Sequence, residues 1–193
     1  MLINNWYVAA WSHEVSTRKP IGVRMLGCDF VLFRNAEGKA ICLSDTCCHR
    51  GGALSGGKVN NARVVCPYHG WEFNGAGECV NLPSIGYGEK PPARAKVDSY
   101  PVQEKYGIVF AFLGDEPEST RVPLLNVEEY GQPGWVANEV LVLEVPYYYE
   151  RSIENGIDPS HNEFVHPTHG HSAIDRKNYK VRDYTPEDHR QGW

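Results

Sequence analysis

"DTCCHRGGALSGG", residues 45–57, and "CPYHGW", residues 66–71, decide how the chain is read. Cys47 and His49 stand one residue apart, Cys66 and His69 stand two apart, and sixteen residues separate the two clusters. Two thiols and two imidazoles grouped in this way form a metal-ligand set. A zinc site of the two-cysteine, two-histidine kind puts both cysteines in one knuckle and both histidines in the other. Here each knuckle is mixed. That suits a [2Fe-2S] centre in which one iron takes two thiolates and the other takes two imidazole nitrogens. Gly51, Gly52, Gly56, Gly57 and Gly70 would let the loop backbone come close to such a centre and aim N–H groups at it. Tyr68 and Trp71 are expected to pack over the loops and exclude water.

The remaining cysteines fit this reading. The chain has six, and an even count also admits three disulfides. Disulfide frameworks belong mainly to shorter secreted chains with a signal peptide. The start, "MLINNWYVAAWSHEV", has no basic segment followed by a long apolar run. The chain is therefore expected to be cytoplasmic, with Cys28, Cys42 and Cys79 as core residues and Cys48 as a small buried filler. Its 193 residues, 41% of them hydrophobic, suffice for one large domain or one complete domain with part of another. A net charge of -5 with no Lys/Arg run weighs against a nucleic-acid or anionic-membrane partner. No stretch reaches the roughly 20 apolar residues of a spanning helix.

Between Gly22 and Gly114 short β segments alternate with Gly, Asn and Pro. Residues 29–35 and 39–44 flank "AEG", and residues 71–74 and 78–82 flank "GAG", which predicts two hairpins. "KVDSYPVQEK" and "YGIVFAFLG" add two strands. The acidic, proline-containing stretch 114–123 predicts a boundary, giving a first domain over 1–122 and a second over 123–193. In the second, residues 135–146 have strand character. A helix is expected from about Tyr148, interrupted near Asp158-Pro159, where Asp158 is placed to cap a second helical piece. There is no phosphate-binding glycine motif.

The second region carries its own constellation: Asn155, Asp158, His161 and His166, in the order N-x-x-D-x-x-H-x-x-x-x-H. Two histidines with a carboxylate suit non-haem Fe(II) with open positions for dioxygen. Positions i and i+5 lie about 140° apart on a straight helix. Both histidines can face one ion only if the helix bends or ends between them, as Pro159 and Pro167 permit. A histidine-containing helix end followed by a surface loop is the plainer reading of the same residues. His169 and His171 are further metal-capable side chains nearby.

The two knuckles "CCHRGG" and "CPYHGW", together with this second segment, resemble the Rieske oxygenase α subunit of the aromatic-ring-hydroxylating kind. The bc-type Rieske proteins carry an extra cysteine beside each loop; Pro67 and Tyr68 fill the corresponding second-loop positions here. The resemblance implies a mostly β Rieske domain with a [2Fe-2S] cluster on Cys47, His49, Cys66 and His69. The truncated start of an α+β helix-grip catalytic domain would follow it. It implies His161 and His166 as ligands of mononuclear Fe(II), with Asn155 beside the site. Asp158 becomes an electron-transfer bridge between His161 and the His69 position of the neighbouring subunit. An NAD(P)H-dependent reductase, with or without a ferredoxin, is the implied electron source. Dioxygen and a small organic, aromatic substrate are the implied reactants, for hydroxylation or demethylation, in a homotrimer. The third, carboxylate ligand lies far downstream in that family, and Asp175, Asp183, Glu187 and Asp188 do not match its pattern. The chain is thus expected to cover about the first half of such a subunit, to hold the second iron weakly and to be incomplete for turnover. A Rieske ferredoxin-like electron carrier is the alternative function, and it has no use for Asp158, His161 and His166.

Overall fold

The computed structural model describes residues 3–86, 88–137 and 144–158, together with His161, Val165 and Thr185. The chain forms two compact units, Met1–Gln132 and Pro133–Trp193.

The first unit is built on the strand Cys28–Arg34 (β3). Its "FVLF" core is buried on both faces: Phe30 and Leu32 enter one hydrophobic cluster, and Val31 and Phe33 enter another. An unbroken apolar run is what a strand covered on two sides requires. β3 pairs on one side with Ile21–Met25 (β2) and on the other with Ala40–Ser44 (β4), both antiparallel; Ser99–Tyr100 (β9) completes this sheet beyond β4. Against one face lies a three-stranded sheet in which Asn5–Trp11 (β1) pairs with Ile108–Leu113 (β11), and β11 pairs with Val102–Lys105 (β10). Ala10, Val109, Ala111 and Leu113 from this sheet fill the core with Phe30, Leu32 and Cys42. On the other face, Val31, Phe33 and Leu43 meet Val64, Phe73 and Cys79. These last three come from the meander Lys58–Asn60 (β5), Arg63–Val65 (β6), Glu72–Phe73 (β7) and Cys79–Asn81 (β8).

Both hairpins read from the sequence are present, as β3–β4 and β7–β8. The β2–β3 hairpin turns through Leu26 and Gly27 alone, both at positive φ (49° and 77°), the two-residue turn whose twist matches that of paired strands. Cys28 sits at the exposed end of this hairpin, so it is not the core residue expected; Cys42 and Cys79 are buried.

Arg34, the last residue of β3, ties the first two sheets together. Nε donates to Val15 O (2.8 Å), and Nη1 to Gly38 O (2.7 Å) and Glu104 Oε2 (2.9 Å). Nη2 donates to Ser12 O (2.7 Å) and Glu104 Oε1 (2.8 Å). All five guanidinium N–H groups are thus used, two of them in a fork on one carboxylate.

After β11 the chain straps back over the three-stranded sheet. Trp6 Nε1 donates to Val122 O (2.8 Å), Lys105 Nζ to Asn126 Oδ1 (2.8 Å), and the Tyr106 hydroxyl accepts Val127 N–H (2.5 Å). The strap thereby runs past residue 122, and the first compact unit reaches Gln132. In the second unit, Tyr149–Ile157 (α1) is a helix starting next to the expected Tyr148, with Arg151 and Glu154 paired along one side. Asp158 is its C-cap, in an extended conformation (φ -99°, ψ 96°); the expected second helical piece falls mostly outside the described residues. The expected strand over 135–146 falls mostly outside the described residues. No helix among the described residues is long and apolar enough to cross a membrane.

Candidate metal centre

Cys47 and Cys66 open two loops of the same construction. The first is the tip between the bridged pair Thr46 and Ala53, the second the tip between the paired Val65 and Glu72, and each tip holds six residues. Cys47 N–H donates to Gly52 O (3.0 Å) and Cys66 N–H to Trp71 O (2.8 Å), closing each loop across its base. The fifth tip residue then folds back: Gly51 N–H donates to Cys47 O (2.9 Å) and Gly70 N–H to Cys66 O (3.0 Å). Both glycines have positive φ, 69° and 73°, the left-handed region that a Cβ disfavours. The cysteine is therefore the first residue of each tip. His49 is the third residue of its tip and His69 the fourth of the other.

Burial separates the donors by type. Cys47 and Cys66 are 3% and 2% exposed and belong to the core cluster beneath the loops. Their thiols are close neighbours. His49 and His69 are exposed, with ring centroids 4.5 Å apart. Burial pushes the Cys47 thiol up to about 12, and the Cys66 thiol adds to the rise against a backbone hydrogen bond at His49. A buried thiol pair of this kind gives up its protons to a group that brings positive charge. Partial desolvation, followed by the influence of His69 and Arg50, lowers the His49 imidazole below its ordinary value and favours the neutral, metal-binding form.

The loops are held from outside the donor set. The Asp45 carboxylate, buried at the root of the first loop, accepts Ser55 N–H (2.6 Å) and the Ser55 hydroxyl (2.7 Å), while Asp45 O accepts Leu54 N–H (2.9 Å). At the root of the second, buried Glu72 accepts the Asn81 amide (3.1 Å). Gly57 lies against the carbonyls of Val65 and Leu54, where a Cβ has no room, so the segment leaving the first loop packs directly on the strand entering the second. Asp45→Ala is expected to cost about 2–3 kcal/mol, because it removes two hydrogen bonds to a buried charge. The check is a lowered urea midpoint at unchanged slope.

Of the two aromatic residues expected to shield the loops, Trp71 does so and Tyr68 does so only partly. The half-buried indole of Trp71 stacks on His49, with centroids 4.6 Å apart and planes 6° apart. Tyr68 lies 4.0 Å from the His69 ring but is 64% exposed, since it sits at the outermost part of a hairpin tip. Cys48 is exposed as well, not a buried filler: it follows the inward-facing Cys47, and its thiol lies near the backbone of Lys96.

The donor chemistry fits a two-iron, two-sulfide cluster. Among the described residues no three His, Cys, Asp or Glu side chains form a site for a single ion; the four donors stand instead as one pair of thiols and one pair of imidazoles. Gly52 would bring a Cβ to 3.4 Å from Cys66 Sγ, so the backbone of one loop closes in on the sulfur of the other. In the second unit, Asn155 is on the exposed surface of α1, Asp158 is exposed at its end and His161 is half-buried. His166 lies outside the described residues, as do His169, His171 and the carboxylates Asp175, Asp183, Glu187 and Asp188.

Comparison with known proteins agrees with the geometry. Phenoxybenzoate dioxygenase subunit alpha of Ectopseudomonas oleovorans is 38% identical over 174 residues, covering 84% of this chain and 42% of that protein. Chlorophyllide a oxygenase, chloroplastic, of Chlamydomonas reinhardtii is 34% identical over 167 residues, 86% of this chain and 24% of its own length. A crystal structure of dicamba monooxygenase with non-heme iron and dicamba superposes with a TM-score of 0.54 at 36% identity, covering 71% of this chain and 38% of that one. The chain spans between 24% and 48% of the length of the curated relatives it matches. The family model described as Rieske [2Fe-2S] domain matches residues 5–101, half of the chain and the part that carries both loops. By its two like loops, its paired thiols and imidazoles and this match, the chain belongs to the Rieske [2Fe-2S] domain family.

Proposed function

We propose that the chain is the electron-accepting part of a Rieske non-haem iron oxygenase, and that Cys47, His49, Cys66 and His69 hold its [2Fe-2S] cluster. The observation that carries this reading is the sorting of donors by burial: two thiols in the core and two imidazoles at the surface, on matched loops. When bound, the cluster supplies one-electron chemistry, taking up an electron from a reductase or ferredoxin and releasing it towards Fe(II) for dioxygen-dependent oxidation of an organic substrate. The residues do the rest. Cys47 and Cys66 keep the thiolate side out of water, and the exposed imidazole edges of His49 and His69 give the electron its way in and out. Trp71 fixes the plane of His49 by stacking.

His161 and His166 are proposed as two ligands of the mononuclear iron, with Asn155 beside them. Asp158 is proposed to orient His161 through a carboxylate–imidazole bond and to bridge to the cluster of a neighbouring subunit in a trimer. The relatives support this part of the reading through their names: one structure records non-heme iron in a dicamba monooxygenase, and two of the proteins compared are oxygenases of organic compounds. Anaerobic purification followed by metal and acid-labile sulfide analysis tests the cluster assignment. Two irons and two sulfides per chain are expected in the first unit. Zinc in their place would refute it.

A further inference from the structure

Charge is unevenly shared along the chain. Residues 46–96, which hold both loops and the meander β5–β8, carry six Lys and Arg against three Asp and Glu, whereas the chain as a whole is at -5. One of those three acids, Glu72, is buried, and Glu78 is held by the Asn74 amide (2.9 Å). Arg50, Lys90, Arg94 and Lys96 are all exposed, and among the described residues none of the four forms an ion pair. They are tied to the metal loops by backbone. Arg50 follows His49 in the first loop tip. The segment 90–96 is fixed by Cys79 N–H donating to Ala95 O (2.8 Å), by Lys96 N–H donating to Arg94 O (3.0 Å) and by a bridge between Glu78 and Lys96, which brings the Lys96 backbone near the Cys48 thiol. The third acid, Glu89, is exposed beside Lys90, while five others of this unit, Asp115, Glu116, Glu118, Glu128 and Glu129, lie on the strap over the three-stranded sheet.

We propose that Arg50, Lys90, Arg94 and Lys96 form the docking surface for an acidic one-electron-donor protein that delivers its electron at the exposed edge of His49, leaving His69 to face the neighbouring subunit. The inference rests on the assignment of the four ligands and adds the surface and the charge of the partner. One electron leaves the donor's reduced centre and one arrives on this side; no bond forms or breaks. A positive patch beside an exposed redox edge, on a chain whose remaining surface is negative, attracts an acidic partner and also turns it to face the edge.

The test uses the cluster-loaded full chain and, as probe, a reduced plant-type [2Fe-2S] ferredoxin of strongly acidic surface. In the variant Lys90→Glu/Arg94→Glu/Lys96→Glu, the second-order rate of cluster reduction at about 10 mM salt should fall about tenfold or more. Calorimetric affinity for the oxidised ferredoxin should weaken to a similar degree. Both differences should vanish near 1 M salt, where the screening length is about 3 Å, and reduction by the methyl viologen radical cation should not slow. Rates and affinities within about twofold of the parent would overturn the proposal. So would a loss that persists at high salt or appears equally with the viologen. A parent chain without a reducible chromophore would sink the ligand assignment alone, because the calorimetric arm does not depend on it.

Discussion

His49→Ala and His69→Ala are each expected to abolish the visible chromophore and the reduced EPR signal of the anaerobically purified chain. Each substitution removes half of the imidazole pair and leaves one iron with a single protein nitrogen, while the buried thiol pair stays intact. The histidines are exposed, so the loss cannot be passed off as a collapsed core: circular dichroism and the urea midpoint of the metal-free chain should stay within about 0.5 kcal/mol of the parent, as for surface substitutions. Cys66→Ser should also lose the chromophore. It differs in burying a hydroxyl within the core cluster and should destabilise the protein as well. If either histidine variant keeps both spectra, the ligand assignment fails whatever the family.

Arg34→Ala is expected to cost about 2 kcal/mol, because the half-buried guanidinium makes five hydrogen bonds, three of them open to solvent. It strands the carbonyls of Ser12, Val15 and Gly38 together with the Glu104 carboxylate, and it unties the first two sheets. Thermal unfolding should move down by about 6 °C for a chain of this size. Arg34→Lys should recover less than half of that, since one ammonium cannot reproduce the fork. The pH dependence gives a second reading. The hydrogen bond from Arg34 holds the Glu104 carboxyl below its usual range, despite the opposing effect of partial burial. A depressed carboxyl contributes stability that is complete above its unfolded value, about 4.3, and lost as pH falls through the folded value. The parent should therefore lose this contribution on acidification below about pH 4.3, and Arg34→Ala, which lacks it already, should show a flatter acid limb.

The sequence showed the chemistry more clearly than the scaffold. The mixed knuckles pointed to paired donors because spacing and ligand type are both written in the chain, and the two hairpins followed from turn residues between apolar runs. The start of α1 was also legible, one residue from its place. The pairing of β1 with β11 was not, because Asn5 and Leu113 are brought together by the folding of everything between them. The common closure of the two loops was hidden for a different reason. The bonds that define it run between backbone groups of Cys47 and Gly52 and of Cys66 and Trp71, and the equivalent histidines occupy different places in each tip. The exposure of Cys28 and Cys48 follows from a hairpin end and a loop tip, and residue type alone does not reveal either. Arg34 carries no local signature in "LFRN"; its importance comes from three carbonyls and a carboxylate gathered from three other segments.

The backbone closure of those loops also decides how their disorder is given up. Fixing a residue's main chain costs about 1–2 kcal/mol, and each tip has six residues to fix. The bonds that do the fixing, from Cys47 and Gly51 in one tip and from Cys66 and Gly70 in the other, use only amides and carbonyls, leaving the sulfur and imidazole atoms outside the scheme. The entropy of shaping the cradle is thereby offset by main-chain bonds that belong to the same fold as the buried Val64 and Phe73. Ligand atoms arranged in advance let iron and sulfide bind with little further ordering, and they leave little slack for the centre to relax when it gains or loses an electron. A small reorganisation energy is the property that makes such a site a fast relay.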